Sequence, residues 1–330
     1  MRQDVVALTT RPDRHGRRIA PDSLDPVAAK INDGPRLPLL IEHDKTIPPL
    51  GKVVAARVED RSDGERQLIY TEEHFPQARP LSLHGSTLLV TESASDRRPF
   101  KAPEPVEIAV IGADLVNFDS ESDRQLFLDE VRQATAEPFE TQLEFRYSYI
   151  PDPELVITAA KALAATLLGK KLLDVAVDAV GEKVKQDFGR LYDLVRAAVV
   201  SFARRAVPKN RPITYVLPLA QEAGQPVIEF VAVTTSPSAY LSAITLPQLL
   251  KAVARAHDLH ATIPASKIQF LLAEDGTWQF NYLLSTTGAV IGTDASFRRQ
   301  ARRLAIYRAG GVHEMPAGRS PALTSPDRDD

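Results

Sequence analysis

Histidine, serine and acidic side chains are the groups in this chain that could perform nucleophilic chemistry. A serine hydrolase needs a hydroxyl nucleophile, a histidine that takes its proton and an acidic group that orients the imidazole. The 330-residue sequence has seven histidines and no cysteine. Thiolate nucleophiles, thiolate metal sites and disulfide bonds are therefore excluded together. Chain order alone does not identify a triad, because its members meet in space.

His43 differs from the other histidines in its position. It follows the apolar run Leu37–Ile41 and stands at the start of the turn-rich segment 42–51. A side chain at the end of a strand is held by a rigid backbone and remains accessible to solvent. Taken alone, His43 still fits an ordinary surface histidine better than a catalytic one.

No cofactor or metal site is predicted. The sequence lacks a glycine-rich phosphate loop and a Gly-x-Ser-x-Gly elbow. His257 and His260 have the i, i+3 spacing that one helix face could offer to a metal, but no carboxylate motif accompanies them.

Two segments resemble the caudovirus prohead serine proteases. Arg11–Leu24 is similar to the family's Asp-Arg-x-Gly-Asp stretch and the helix start after it. Leu39–Val53 is similar to the family's Leu-x-x-His-Asp…Pro-Ile-Gly motif. The resemblance covers about residues 1–118 and implies a herpesvirus-assemblin-like fold with serine endopeptidase activity. His43 occupies the position of the catalytic base in that family.

The same resemblance suggests the other two members of a triad. Leu81–Gly85 is the best match to the family's Leu-Ser-Ile-Gly-like segment, which implies Ser82 as nucleophile, with Ser86 as the alternative. Val106–Ile111 resembles a later strand of the family and implies Glu107 as the acid.

Composition and net charge limit the classes of molecule that this protein is expected to bind. Hydrophobic residues make up 44% and charged residues 25% of the chain, as in globular proteins. The net charge of −3 predicts no general attraction to nucleic acid or to anionic membranes. The longest apolar stretch, Leu155–Leu168, is interrupted by Lys161 and is shorter than a membrane span. We therefore predict a cytoplasmic protein with protein partners, and leave self-association into a homo-oligomer open.

The pattern of residues predicts an α+β protein in several parts. Residues 1–118 are expected to form a β-rich, assemblin-like barrel, and 119–150 a linker with a short helix. Residues 151–309 are expected to form an α+β domain of unknown function, followed by a disordered tail at 310–330. The boundary is placed before Pro153 because the two prolines at 151 and 153 stop both helix and sheet.

The predicted second domain begins with a long helical region, about Glu154–Ala206, whose apolar residues recur at helical spacing. Two β-hairpins are predicted after it from apolar runs that flank short polar turns. The first joins Ile213–Leu219 to Val227–Thr234, and the second joins Ile268–Leu272 to Trp278–Leu284.

Two functions follow from these observations. The first is a serine endopeptidase of the prohead maturation type that cleaves a partner protein or itself. The alternative is a catalytically degenerate protease-like fold that serves as an interaction or sensing module in a bacterial or phage gene cluster. The alternative is motivated by departures from the family's pattern at Arg17 and at Ile108-Ala109.

Overall fold

A computed structural model describes residues 2–12, 18–83, 85–144, 152–169, 181–220, 222 and 224–309. Within these ranges the chain is a mixed α+β protein with seven α-helices and two sheets, of four and ten strands. The α+β class is therefore confirmed. The predicted tail at 310–330 lies outside the described residues, as do residues 13–17 of the first family-like segment.

The smaller sheet is antiparallel and has the order β1-β4-β3-β2. Its strands are β1 (Arg2–Thr9), β2 (Leu37–Leu39), β3 (Gly51–Asp60) and β4 (Arg66–His74). Helix α1 (Leu24–Asp33) packs on it and buries Leu24, Ala28 and Ile31 against Val53 and Leu68. The sequence Asp63-Gly64 makes the β3–β4 turn because Gly64 takes a φ of +79°, which suits glycine.

The larger sheet has the order β5-β6-β14-β13-β12-β11-β10-β9-β7-β8. Its strands are β5 (Arg79–Leu83), β6 (Ser86–Thr91), β7 (Ala109–Asp114), β8 (Phe139–Glu144), β9 (Glu154–Thr158), β10 (Ile213–Leu219), β11 (Val227–Thr234), β12 (Ala265–Leu272), β13 (Trp278–Ser285) and β14 (Val290–Gly292). The antiparallel pairs β10–β11 and β12–β13 are the two predicted hairpins.

The predicted assemblin-like barrel is not what the N-terminal strands form. The described strand order of each sheet has two ends, so neither sheet is closed. The strands of residues 1–118 divide between the two sheets, because β6 pairs with β14 near the other end of the chain. The ten-stranded sheet thus contains strands from both sides of the predicted linker at 119–150.

Six further helices complete the fold. They are α2 (Glu121–Ala134), α3 (Lys161–Leu168), α4 (Glu182–Arg205), α5 (Pro237–Ala243), α6 (Leu246–Thr262) and α7 (Asp294–Ala309). Helix α4 buries an apolar stripe that includes Leu191, Leu194 and Val195 in the main core. Leu88 and Val90 of β6 belong to the same core. No helix in the described ranges has the length and apolar character to cross a bilayer.

The start of the predicted helical region is a strand instead. Residues Glu154–Thr158 form β9, which is parallel to β10 and antiparallel to β7. The run Leu-Val-Ile-Thr is rich in β-branched residues, which favour a buried strand over a helix. Leu155 and Ile157 are accordingly buried in the sheet.

Candidate functional site

The predicted nucleophiles lie on the β5–β6 hairpin at one end of the larger sheet. Ser82 pairs with Thr87, and Ser86 is opposite Leu83. Gly85 turns the chain between the strands with a φ of +76°. Both serines are exposed, and β5 is the last strand in the order at that end.

Glu107 lies close to the opposite end of the same sheet. It comes just before β7, and its exposed carboxylate forms an ion pair with Lys161 at the start of α3. Seven strands lie between β5 and β7 in the order. Neighbouring strands are about 4.8 Å apart, whereas proton transfer needs groups about 3 Å apart. The structure therefore does not bring Ser82 or Ser86 together with Glu107.

His43 lies in the connection between β2 and β3, in a left-handed backbone conformation. Glu42 has a φ of +47° and His43 a φ of +60°, both in the left-handed region. Non-glycine residues rarely adopt it, and two in succession persist only when the surroundings hold them. The His43 side chain is exposed.

We call residues 42–50 the His43 segment. Ionic contacts fasten it to two distant elements. Arg303 of α7 donates a hydrogen bond to Glu42 at 2.8 Å and lies 3.8 Å from Asp44. Lys45 forms a 2.9 Å ion pair with Glu154, a buried residue of β9.

Side-chain amides from the C-terminal half hold the backbone of the same segment. Gln269 of β12 donates to the carbonyl of Lys45 at 2.9 Å, and Asn281 of β13 donates to that of Thr46 at 2.9 Å. Gln300 of α7 donates to the carbonyls of residues 48 and 49 at 2.8 and 3.1 Å. The His43 segment is thus fixed over the middle of the larger sheet.

A buried charged cluster lies beneath this segment. We call Glu229, Lys267, Gln269 and Tyr282 the sheet-centre cluster. Lys267 Nζ donates to Glu229 at 2.9 Å and to the Tyr282 hydroxyl at 3.4 Å, and Gln269 donates to Glu229 at 2.7 Å. Every charge in the cluster has a partner, which is the condition for keeping charges in a protein interior.

The protonation states of the cluster follow from these contacts. Burial opposes ionisation of Glu229, but the charges of Lys267 and Lys45 and the hydrogen bonds it accepts outweigh burial and lower its pKa. Burial likewise opposes the charge on Lys267, and the nearby Glu229 carboxylate outweighs it and raises the Lys267 pKa. Both shifts favour the charged forms, so Glu229 and Lys267 form an ion pair inside the protein.

Sequence reasoning missed this cluster. Its signal is a set of polar residues inside otherwise apolar strands, with Lys267 and Gln269 two positions apart in β12. Alternate residues of a strand face the same side, so the pattern marks one polar patch on the sheet.

A second buried polar network joins the smaller sheet to residues 92–101. Glu73 of β4 is buried and accepts hydrogen bonds from Ser93, Ser95 and Arg2. Glu73 and the neighbouring His74 both lie in β4.

The network continues through two buried cations. Arg36, fully buried, pairs with Asp96 at 2.7 Å. Lys52, also fully buried, donates to the Asp96 carbonyl at 2.7 Å and lies over the Phe100 ring. Burial lowers the Lys52 pKa, and the negative charges of Asp96 and Glu73 oppose that shift.

An open groove of about 470 Å³ lies between α2 and α4. Ala134, Ala197 and Val200 supply apolar surface in it, and Arg196 and Arg204 supply positive charge.

His257 and His260 have structural partners. His257 Nε2 lies 3.1 Å from the Leu168 carbonyl, and His260 Nδ1 accepts a hydrogen bond from the Ala265 amide. Across the described ranges, no group of three or more histidine or acidic residues is arranged to hold a metal ion.

Comparison with known proteins found no matching family model, no matching curated protein and no matching solved structure.

Proposed function

We propose that the chain is a protein-interaction module whose prohead-protease-like part is catalytically degenerate. The observation that carries this proposal is the separation of the predicted nucleophiles from the predicted acid. Ser82 lies on β5 at one end of the larger sheet, Glu107 lies beside β7, and seven strands come between them. An imidazole can bridge two groups only when both are within hydrogen-bond reach.

The surroundings of His43 support the same proposal. The groups that hold its segment are Arg303, Gln269 and Asn281, and they act on carbonyl oxygens and on the neighbouring carboxylate. This arrangement fastens the smaller sheet's β2–β3 connection to the larger sheet. The family-like motif around His43 therefore has a structural role in linking the two sheets.

The α2–α4 groove supports the interaction role. It is open to solvent and is lined by Arg196 and Arg204, and arginine is a residue type enriched at protein interfaces.

Active-site labelling tests the proposal. A fluorophosphonate probe reacts with a serine only where a base has activated its hydroxyl. The purified chain should label no more than its heat-denatured form, and Ser82→Ala and Ser86→Ala should not change the signal. Labelling of the native chain that disappears in Ser82→Ala or in Ser86→Ala, and in His43→Ala, would instead establish the serine endopeptidase.

A further inference from the structure

The first half of the His43 segment lies on a polar surface that is formed by the larger sheet and α7. We call four side chains that bind residues 42–46 the loop-binding face: Glu154 of β9, Gln269 of β12, Asn281 of β13 and Arg303 of α7. Gln269 and Asn281 donate hydrogen bonds to the main-chain carbonyls of residues 45 and 46, both at 2.9 Å. Every residue type offers that carbonyl. These two contacts therefore select the path of a bound backbone rather than a particular side chain.

Charged contacts add a preference for particular side chains. Arg303 donates to the Glu42 carboxylate at 2.8 Å and lies 3.8 Å from that of Asp44. Glu154, whose side chain is only 5% exposed, pairs with Lys45 at 2.9 Å. A carboxylate of the bound loop thus meets a cation, and the lysine beside it meets an anion. A loop with the opposite order of charges would bring like charges together.

The loop-binding face is held in place by hydrogen bonds of its own. Asn281 donates to the Gln269 side chain at 2.6 Å, and Gln269 donates to Glu229 at 2.7 Å. Arg299 in turn donates to Asn281. Both amide side chains are almost fully buried. Because these partners belong to the larger sheet and α7, the face should keep its geometry when residues 42–46 leave it.

Residues 42–46 are suited to leave the loop-binding face. Each of their side chains is exposed or half-buried, whereas the apolar anchor of the segment begins at Ile47, which is 1% exposed. Glu42 and His43 both have a positive φ, a conformation that costs energy in a residue with a Cβ and persists while neighbouring contacts hold it. Detachment relieves that cost. The ion pairs and hydrogen bonds that are lost can be replaced by the same contacts with another chain.

We propose that the loop-binding face recognises a turn of a partner protein that carries a carboxylate and, within the next three residues, a lysine, and that residues 42–46 occupy this face in cis as a competitor. The proposal rests on the proposed function and names the class of partner. An example of the occupant is present in the structure, because the chain's own segment lies on the face with its charges and carbonyls matched. The apparent affinity for a partner is then the intrinsic affinity multiplied by the fraction of molecules whose face is free.

A cyclic peptide copy of the segment tests this proposal. The probe is fluorescein-labelled and spans residues 38–52, with Pro38→Cys and Lys52→Cys joined by a disulfide. These two positions are directly paired between β2 and β3. Paired positions of antiparallel strands are about 4.5–5.5 Å apart, which a disulfide can span. The matched peptide carries three further changes that reverse its charges: Glu42→Lys, Asp44→Lys and Lys45→Glu.

Fluorescence anisotropy measures binding of both peptides to the full chain and to its double variant Glu42→Ala, Lys45→Ala. In this variant the competitor has lost two charged contacts and the loop-binding face is intact. The first peptide should bind the double variant about tenfold or more tightly than it binds the native chain, because a larger fraction of the faces is free. The charge-reversed peptide should bind the double variant about tenfold or more weakly than the first peptide does.

Further variants locate the site. Adding Arg303→Ala to the double variant should weaken binding of the first peptide by about two- to fivefold, because one ion pair is lost. Adding Arg308→Ala, which removes an exposed arginine near the C-terminal end of α7, should leave binding unchanged. Circular dichroism checks that each variant stays folded. If the double variant does not fold, the single variant Glu42→Ala replaces it, because the Glu42 side chain is 33% exposed.

The outcomes separate the two proposals. Equal affinity of the first peptide for the native chain and the double variant would overturn the competition in cis, and so would an absence of binding to the double variant. Equal affinity for the two peptides, or binding unchanged by Arg303→Ala, would overturn the loop-binding face as the site. Serine labelling is measured on the same preparations and decides the proposed function independently of any peptide result.

Discussion

Arg303 of α7 donates a hydrogen bond to the carboxylate of Glu42, the residue before His43, at a distance of 2.8 Å. The contact spans more than 250 positions of sequence and lies beside two consecutive residues with positive φ. The contact shows that α7 helps to hold the His43 segment in place.

Arg303→Ala should therefore loosen the His43 segment without unfolding the protein. Both partners are about one-third exposed, so the free energy of unfolding should fall by only about 0.2–1 kcal/mol. Amide hydrogen exchange should nevertheless accelerate at residues 42–46. Arg302→Ala, which removes an exposed neighbour on the same helix, is the control. Equal exchange in both variants would show that the contact does not hold the segment.

Gln269→Ala should cost more stability than an exposed glutamine does. The Gln269 side chain is fully buried and donates to the Lys45 carbonyl and to Glu229. Removing it leaves buried acceptors with fewer partners, which costs about 1–3 kcal/mol. Urea unfolding measures the loss, and Gln279→Ala, on the neighbouring strand and exposed, is the matched control. A loss no larger than that of the control would contradict the buried contacts.

Asp96→Ala should be strongly destabilising. Asp96 is the partner of the fully buried Arg36, and its loss leaves an uncompensated interior cation at a cost of about 3–5 kcal/mol. The midpoint of urea unfolding should fall accordingly. Asp258→Ala removes an exposed aspartate near the C-terminal end of α6 and should have little effect. If both variants unfold at the same urea concentration, the buried Arg36–Asp96 ion pair does not stabilise the fold.

The contribution of the Glu229 carboxylate to the free energy of unfolding should depend on pH in a defined direction. Its pKa is lowered in the folded protein, so the carboxylate stabilises the fold above the unfolded pKa of about 4.3. That contribution is lost as pH falls through the lower, folded pKa. The difference in unfolding free energy between the native chain and Glu229→Gln should therefore be constant near neutral pH and shrink below about pH 4.3. A difference that grows on acidification would contradict the lowered pKa.

Expression of residues 1–118 alone tests the predicted domain division. The smaller sheet has its own core around Leu24 and Leu68, so its amides should be protected in the fragment. Leu88 and Val90 belong to the main core, and their strand pairs with β14, so β6 should be unprotected there. Protection of both regions equal to that in the full chain would establish residues 1–118 as an independent domain.

Local signals in the sequence were sufficient for much of the secondary structure. The two hairpins were predictable because apolar runs flank short polar turns, and Gly276 takes the positive φ that its turn requires. Helix α6 was predictable from its apolar period and from Pro247 in its first turn. Residues 154–158 were misassigned because a short apolar run fits either a strand or a helix. Their pairing with β10 makes them a strand.

The contacts around the candidate site could not be predicted from the sequence, for a different reason. The partners of the His43 segment are Gln269, Asn281 and Arg303, and no local pattern reveals which distant side chain will meet a given loop. The apolar run Leu37–Ile41 predicted that His43 follows a strand, and the family-like motifs suggested Ser82 and Glu107 as its partners. They could not indicate that seven strands separate β5, which carries Ser82, from β7, which begins just after Glu107.

The pairing of β6 with β14 has a consequence for synthesis on the ribosome. Thr91 is opposite Val290, so the strand that completes the hairpin of residues 79–91 is translated roughly 200 residues after it. At about 5–20 residues per second, the hairpin waits about 10–40 s with one edge uncovered. An uncovered edge strand is a template for pairing with other chains. This edge is therefore exposed during that interval, and we expect truncated products that end before residue 290 to aggregate more readily than the full chain.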